Sequence, residues 1–202
     1  QFERQSWQMR NRILTKDGIL YINLPILKKQ LTTEIKDIMV KPIFDWSLKL
    51  KKTLIQNYAK SKHKSEFNNL MENLFDFSSF KNLNENKLSD INLHFIKIIC
   101  KSLKIKFEPI LSSDLNVSGL RTERLINILN KLNAKIYYTV DGSKEYLKED
   151  SFTIRSDVEL KFQKQNFVEY KQIHSKKFVP NLSILDSIAS IGLEKTKINL
   201  ES

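Results

Sequence analysis

The sequence predicts an α/β protein with a mostly parallel sheet, flanking helices and a helical insertion at about residues 45–103. Three observations carry this expectation. In the second half, KFEPILS (106–112), KIYYTV (135–140) and VELKF (158–162) read as strands, alternating with helix-period runs GLRTERLINILNKLN (119–133) and SKEYLKED (143–150). Short connections between alternating strands and helices are the rhythm of βαβ units. Between residues 45 and 103 the apolar spacing is helical instead, and the opening segment alternates with period two around a Lys16-Asp17-Gly18 turn.

The opening QSWQMRNRIL reads as a strand with Trp7, Met9, Asn11 and Ile13 on one face and Gln8, Arg10 and Arg12 on the other. Asn11 thereby stands in an apolar row, where an amide must either fix a neighbouring backbone or hold a ligand. A second strand follows the turn, with Leu20, Ile22 and Leu24 alternating against Tyr21 and Asn23, and Pro25 ends it. Asp45 is the expected N-cap of a helix to about residue 61, whose buried stripe is Trp46, Leu50, Leu54 and Tyr58. A second helix is expected over 66–75. SSFKNLNENK (78–87) reads as a loop, and Ser89 or Asp90 caps a third helix to about residue 103. That third helix is apolar on two rows, Ile91/Phe95/Ile98 and Ile96/Ile99/Leu103, which predicts deep packing with His94, Lys97 and Lys101 on one wet edge.

A chain of 202 residues with 41% hydrophobic content can build a sizeable core as one domain. One cysteine, Cys100, excludes a disulfide framework and points to a reducing, cytoplasmic setting. No apolar run approaches the roughly 20 residues that span a bilayer, so membrane insertion is not expected. The first residue is not Met, and N-terminal residues are expected to be missing or processed away. The net charge of +11 comes mostly from Lys in a Lys-, Asn- and Ile-rich composition, which a solvated surface explains without a nucleic-acid partner.

In a parallel sheet, ligands bind where strand ends lead into helix N-termini. Two such loops are predicted. One contains Ser112, Ser113 and Asp114 and feeds a helix with Arg121, Thr122 and Arg124 in its first turn, an arrangement that favours a bound phosphate or carboxylate. The other, Val140-Asp141-Gly142-Ser143, leads toward Tyr146, so that Asp114 and Asp141 flank one crevice as candidate proton acceptors. His63, His94 and His174 have no zinc-like spacing. No metal ligand set is assigned, and no cofactor is identified. Asp141 with Glu159-Leu160-Lys161 also fits the arrangement of Mg-dependent nucleases.

Taken together, FERQSWQMRNRIL, GILYINLPILKK, LSDIN, SSDL, RTERLINILNKLNAKIYYTVDGSKEYL and YKQIHSKKFVPNLSILDSI resemble the WbqC-like family of bacterial proteins along essentially the whole chain. The resemblance implies a single WbqC-like domain of the cytoplasm, associated with O-antigen and other surface-polysaccharide biosynthesis. It implies an enzyme of nucleotide-sugar modification, a transferase class with acyl or aminoacyl transfer to an amino sugar as the conjectured reaction. The family pattern has a preceding block, with a His-Gln-Pro motif on a first strand and an Asp-Asp pair, that this sequence does not carry. Thr139-Val140 also stands where the family tends to have Ser-Gly. By position the resemblance marks Arg10, Asn11 and Arg12, then Ser112, Ser113, Asp114, Gly142 and Tyr146, and finally Tyr170, Gln172 and Asp186. Asp186 also fits the favourable first turn of a last helix capped by Ser183 or Asn181.

The resulting expectation is a phosphate-bearing substrate, a nucleotide sugar, bound by Arg10, Arg12, Arg121 and Arg124. Asn11 and Ser113 orient it, and Asp114 or Asp141 accepts a proton. An acyl or aminoacyl carrier protein is an expected partner. Two rivals stay open: a noncatalytic module docking an acidic partner, and the nuclease.

Overall fold

The computed structural model describes residues 6–27, 34–76, 78, 86–164 and 168–201. Where the sequence predicts one domain, the chain forms two compact units, one of residues 1–107 with 167–202 and one of residues 108–166.

The larger unit begins with an antiparallel hairpin, β1 (Arg10–Thr15) and β2 (Gly18–Asn23), in the register Arg10↔Asn23 to Thr15↔Gly18. Lys16 and Asp17 make the two-residue turn, Gly18 takes φ +112°, and the Thr15 hydroxyl donates to the Gly18 carbonyl at 2.8 Å. A two-residue connection needs positive φ close to the turn, and glycine supplies it without steric penalty. Three helices follow: α1 (Ser47–Asn57), α2 (Lys64–Leu74) and α3 (Leu88–Ser102). Residues 38–41 run extended beside 25–27, and Ile38 and Val40 also exchange backbone bonds with Leu88 and Asn86. The predicted stripe of α1 is the buried one, with Trp46, Leu54 and Tyr58 in the core and Leu50 packed against it. Phe67, Leu70, Met71 and Leu74 bring α2 onto the same core.

Neither predicted helix cap forms. Asp45 lies in a short 3-10 turn, and α1 starts after Trp46; α3 starts after Lys87, while Ser89 bonds to the Asp90 side chain instead. The last helix does have its cap. The Ser183 hydroxyl accepts the Leu185 N–H ahead of the helical run α7 (Ile184–Glu201). Gly192 divides that run at φ 84°, ψ 171°, and the Glu66 carboxylate accepts the Leu193 N–H at 3.0 Å where the second segment starts. Most of the predicted 78–87 loop lies outside the described residues.

The smaller unit contains α4 (Arg121–Lys131), β3 (Ile136–Val140), α5 (Lys144–Glu149), α6 (Phe152–Arg155) and β4 (Glu159–Gln163). β3 and β4 pair in parallel, Ile136 opposite Glu159. Ile126, Leu129, Leu147, Phe152 and Val158 form its core. The predicted strand at 106–112 joins no sheet, and among the described residues the two sheets have two strands each. The mixed α/β class holds, but the mostly parallel sheet expected from the sequence is not found there. The segment holding Pro109 offers no clean alternation and leaves Ile110 and Leu111 exposed, so it has no apolar face to bury against β3.

Gly192 also packs against His63: a Cβ there would lie 2.6 Å from the ring Nδ1. Gly192→Ala should therefore lower unfolding free energy by about 2–4 kcal/mol, combining backbone strain with overpacking. Gly142→Ala, in open space, should change it by less than about 0.5 kcal/mol. Denaturant melts of the two variants check the contrast.

Candidate functional site

In the larger unit a cavity of about 350 Å³ opens between the β1–β2 hairpin, α1, α2, α3 and the start of α7. This size falls in the range of small-molecule pockets. Its walls are largely apolar, including Leu50 and Leu54 of α1, Leu74 of α2, and Phe95, Ile96 and Ile99 of α3. Here the two apolar rows of α3 find their explanation. The expected deep packing holds for Ile91 and Leu103, whereas Ile96 is 43% exposed and lines the cavity with Ile99 and with Phe95 of the other row. His94 is half-buried rather than wet, and burial pushes its pKa below the ordinary histidine value.

The hairpin end of the cavity is polar. Arg10 and Arg12 share one face of β1, as predicted, but they have different neighbours. Arg12 donates from Nε to the Asn181 carbonyl at 2.7 Å and from Nη2 to the Pro180 carbonyl at 3.0 Å, and its own carbonyl accepts the Ser183 N–H. It clamps the segment that leads into α7. Arg10 lies with its guanidinium carbon 4.8 Å from the centre of the Tyr21 ring, a diagonal partner on the same face. Its Nε is buried without a hydrogen-bond partner at the cavity wall. A buried charged donor left unpaired is unfavourable, and this atom is closed to solvent although the residue lines the cavity. Asn11 is exposed, not set in an apolar row, and its Oδ1 accepts the Arg12 N–H at 2.8 Å. Of the two roles predicted for this amide, the contact it makes is the backbone one, at the cavity edge.

The matched residues near the C-terminus form a separate buried network. Asp186, 1% exposed, accepts hydrogen bonds from the Tyr58 hydroxyl at 2.9 Å and the Tyr170 hydroxyl at 3.0 Å. Gln172 bonds both ways with the Val179 backbone at 2.8 Å, and His174 Nε2 donates to the Asn57 carbonyl at 2.8 Å. Burial raises the Asp186 pKa, against the opposing pull of the two hydroxyls and of His174. Burial and the Asp186 charge push both tyrosines up as well. Asp186 does sit in the first turn of α7, but its side chain points to the tyrosines.

In the smaller unit several of the predicted site residues are engaged with other side chains of that unit. Ser112, Ser113 and Asp114 are exposed, and Ser113 bonds to Asp114 at 3.2 Å. The anion expected at the start of α4 is supplied by the chain itself. Thr122, 1% exposed, donates to Asp150 Oδ2 at 2.6 Å, and Arg121 Nε lies 3.4 Å from the same oxygen. Arg121 has φ +48°, a left-handed conformation at the helix start, and Arg124 is half-buried one turn along. Asp141 pairs with Lys144 at 2.7 Å, and Glu159 with Lys161 at 3.2 Å. Gly142 is exposed, and Tyr146 packs on the core of this unit. With residues 106–112 outside any sheet, the strand that would have set Asp114 beside Asp141 does not form. Among the described residues no group of three or more His, Cys, Asp or Glu could hold a metal. No described helix is long and apolar enough to cross a membrane.

Sequence reasoning missed Tyr58 as a partner of Asp186 and Asp150 as the partner of Arg121 and Thr122. It also missed the cavity wall, whose one legible signal was the second apolar row of α3.

These features define a mixed helix-and-strand protein with a ligand-sized cavity in its larger unit. The chain belongs to the WbqC-like protein family, whose model matches residues 1–198. It is similar to the uncharacterized protein Rv1507c of Mycobacterium tuberculosis, 27% identical over 195 residues that cover 96% of this chain and 81% of that protein. No solved structure matches it.

Asp186→Ala leaves two buried hydroxyls without their acceptor and should reduce stability by about 2–4 kcal/mol. The sign of the pH effect follows from the raised pKa. The advantage of protonated, buried Asp186 is complete below the carboxyl's unfolded pKa and is lost as pH rises through its folded value. Denaturant melts should therefore show wild type losing stability relative to Asp186→Asn as pH increases from acid to neutral.

Proposed function

We propose that the protein is an enzyme of nucleotide-sugar modification in bacterial surface-polysaccharide biosynthesis, acting in the cytoplasm with the cavity of its larger unit as the substrate site. The observation that carries this reading is the Arg10 cation among the residues lining a largely apolar, ligand-sized cavity. Membership of the WbqC-like family supports the setting through what the resemblance implies. A diphosphate provides acceptor oxygens for the guanidinium and remains partly in water, while the least polar part of the substrate enters the cavity. Tyr21 holds the Arg10 side chain in place from its ring face. Group transfer to an amino sugar, from an acyl or aminoacyl donor, is the reaction class that this reading favours. Arg12 and Asn11 serve by shaping the cavity edge, and the local ion pairs of the smaller unit have no part in binding.

Titration calorimetry with a uridine diphosphate amino sugar tests the assignment. Arg10→Met, which keeps the apolar stem, should weaken binding about tenfold or more. Arg121→Ala and Arg124→Ala should leave it unchanged. Absence of binding to the wild type would overturn the reading, as would binding lost in Arg121→Ala and intact in Arg10→Met.

A further inference from the structure

The cavity is chemically divided, and the division identifies what part of a substrate each end can take. Its inner wall is built from aliphatic and aromatic side chains of four helices: Leu50, Leu54, Leu74, Phe95, Ile99 and Leu185. A nucleobase or sugar ring placed among them would lose its hydrogen bonds to water and find few in return. At the hairpin end some of the polar groups are already engaged with the chain. The Asn92 amide donates to the Gln8 carbonyl at 2.8 Å, and the Asn11 oxygen accepts the Arg12 N–H. Among the described residues lining the cavity there is no aspartate or glutamate, and the charged one is Arg10. An aminoacyl group would bring its ammonium into a space where no described residue offers a carboxylate and Arg10 adds a like charge. A plain hydrocarbon chain meets neither penalty, and gains by removing the apolar row of α3 from water.

We infer that this chamber is an acyl pocket: it receives an aliphatic acyl chain, the carbonyl end toward the hairpin and the chain among α1, α2 and α3. The inference rests on the cavity being the substrate site. It narrows the transferred group from acyl or aminoacyl to acyl.

Calorimetric titrations with uridine diphosphate glucosamine bearing an acetyl, butanoyl or octanoyl group on nitrogen, and with octanoate alone, test it. In the wild type, affinity should climb with chain length, about tenfold or more from acetyl to octanoyl. Ile99→Trp narrows the chamber, so it should abolish that climb and the binding of octanoate. Ile96→Glu, at a partly exposed wall position, should do the same and serves if the tryptophan variant does not fold. Affinity independent of chain length overturns the acyl pocket and leaves the phosphate site standing, as does octanoate binding equally to wild type and variants. If no sugar nucleotide binds but octanoate does, and is lost in Ile99→Trp, the acyl pocket stands and the nucleotide-sugar reading falls.

Discussion

Asp186 is fully enclosed, and the two hydroxyls that reach it come from distant parts of the chain, Tyr58 at the end of α1 and Tyr170 in the segment preceding α7. A carboxylate in that position is tolerable only with both donors in place. Once they are, three segments are fixed to one point. Around it the other long-range bonds fall into order: Asn57 donates to the Leu14 carbonyl of β1, His174 to the Asn57 carbonyl, Ser61 to the Ala189 carbonyl. Arg12 then closes the set by holding Pro180 and Asn181 against the hairpin. The larger unit thus has a polar seam inside an apolar core, and the seam ties the first strand, the first helix and the last helix to one register.

The same seam explains why the cavity exists where it does. It fixes the hairpin and the start of α7 on one side, and Ser183 to Leu185, which begin that helix, become part of the cavity wall. α1 and α3 pack on the core through Leu54, Tyr58 and Ile91. The row Ile96 and Ile99 is left facing space that no described side chain fills. Keeping apolar surface near water is unfavourable in proportion to its area, so a fold that holds this row open maintains a lining at some expense to stability. That trade is expected of a binding site rather than of a core.

Legibility in the sequence followed the distance over which a contact acts. The helices α1 to α4 were readable because their buried stripes repeat within one segment, as Trp46, Leu54 and Tyr58 or Thr122, Ile126 and Leu129 do. So was the hairpin, whose turn is local. The caps of α1 and α3 were misplaced because a shift of one or two residues decides them, and the tertiary fit of Trp46 and Leu88 outweighed the capping preference of Asp45 and Ser89. The strand at 106–112 failed for a related reason: its composition suits a strand, but pairing needs a neighbour and a face to bury. Site residues divided along the same line. The Asp141–Lys144 pair, three residues apart, was open to local reading but was passed over for a proton-acceptor role; Tyr58 and Asp186, separated by 128 positions, gave no local sign of each other.

The pair Arg10 and Arg12 shows how narrow the margin is between a structural and a functional residue. They are two positions apart on one strand, on one face, each with an aromatic ring nearby, Tyr21 for Arg10 and Trp7 at 5.7 Å for Arg12. In sequence they are equivalent. The difference lies in what the chain brings opposite them. Two carbonyls of the segment before α7 satisfy Arg12, which consequently acts as a clamp. Opposite Arg10 the same face meets the cavity, and no described group accepts from its Nε. A guanidinium is always charged and strongly directional. The Arg10 Nε is buried without a described partner while the residue lines the cavity, and that is the whole structural difference between the two arginines.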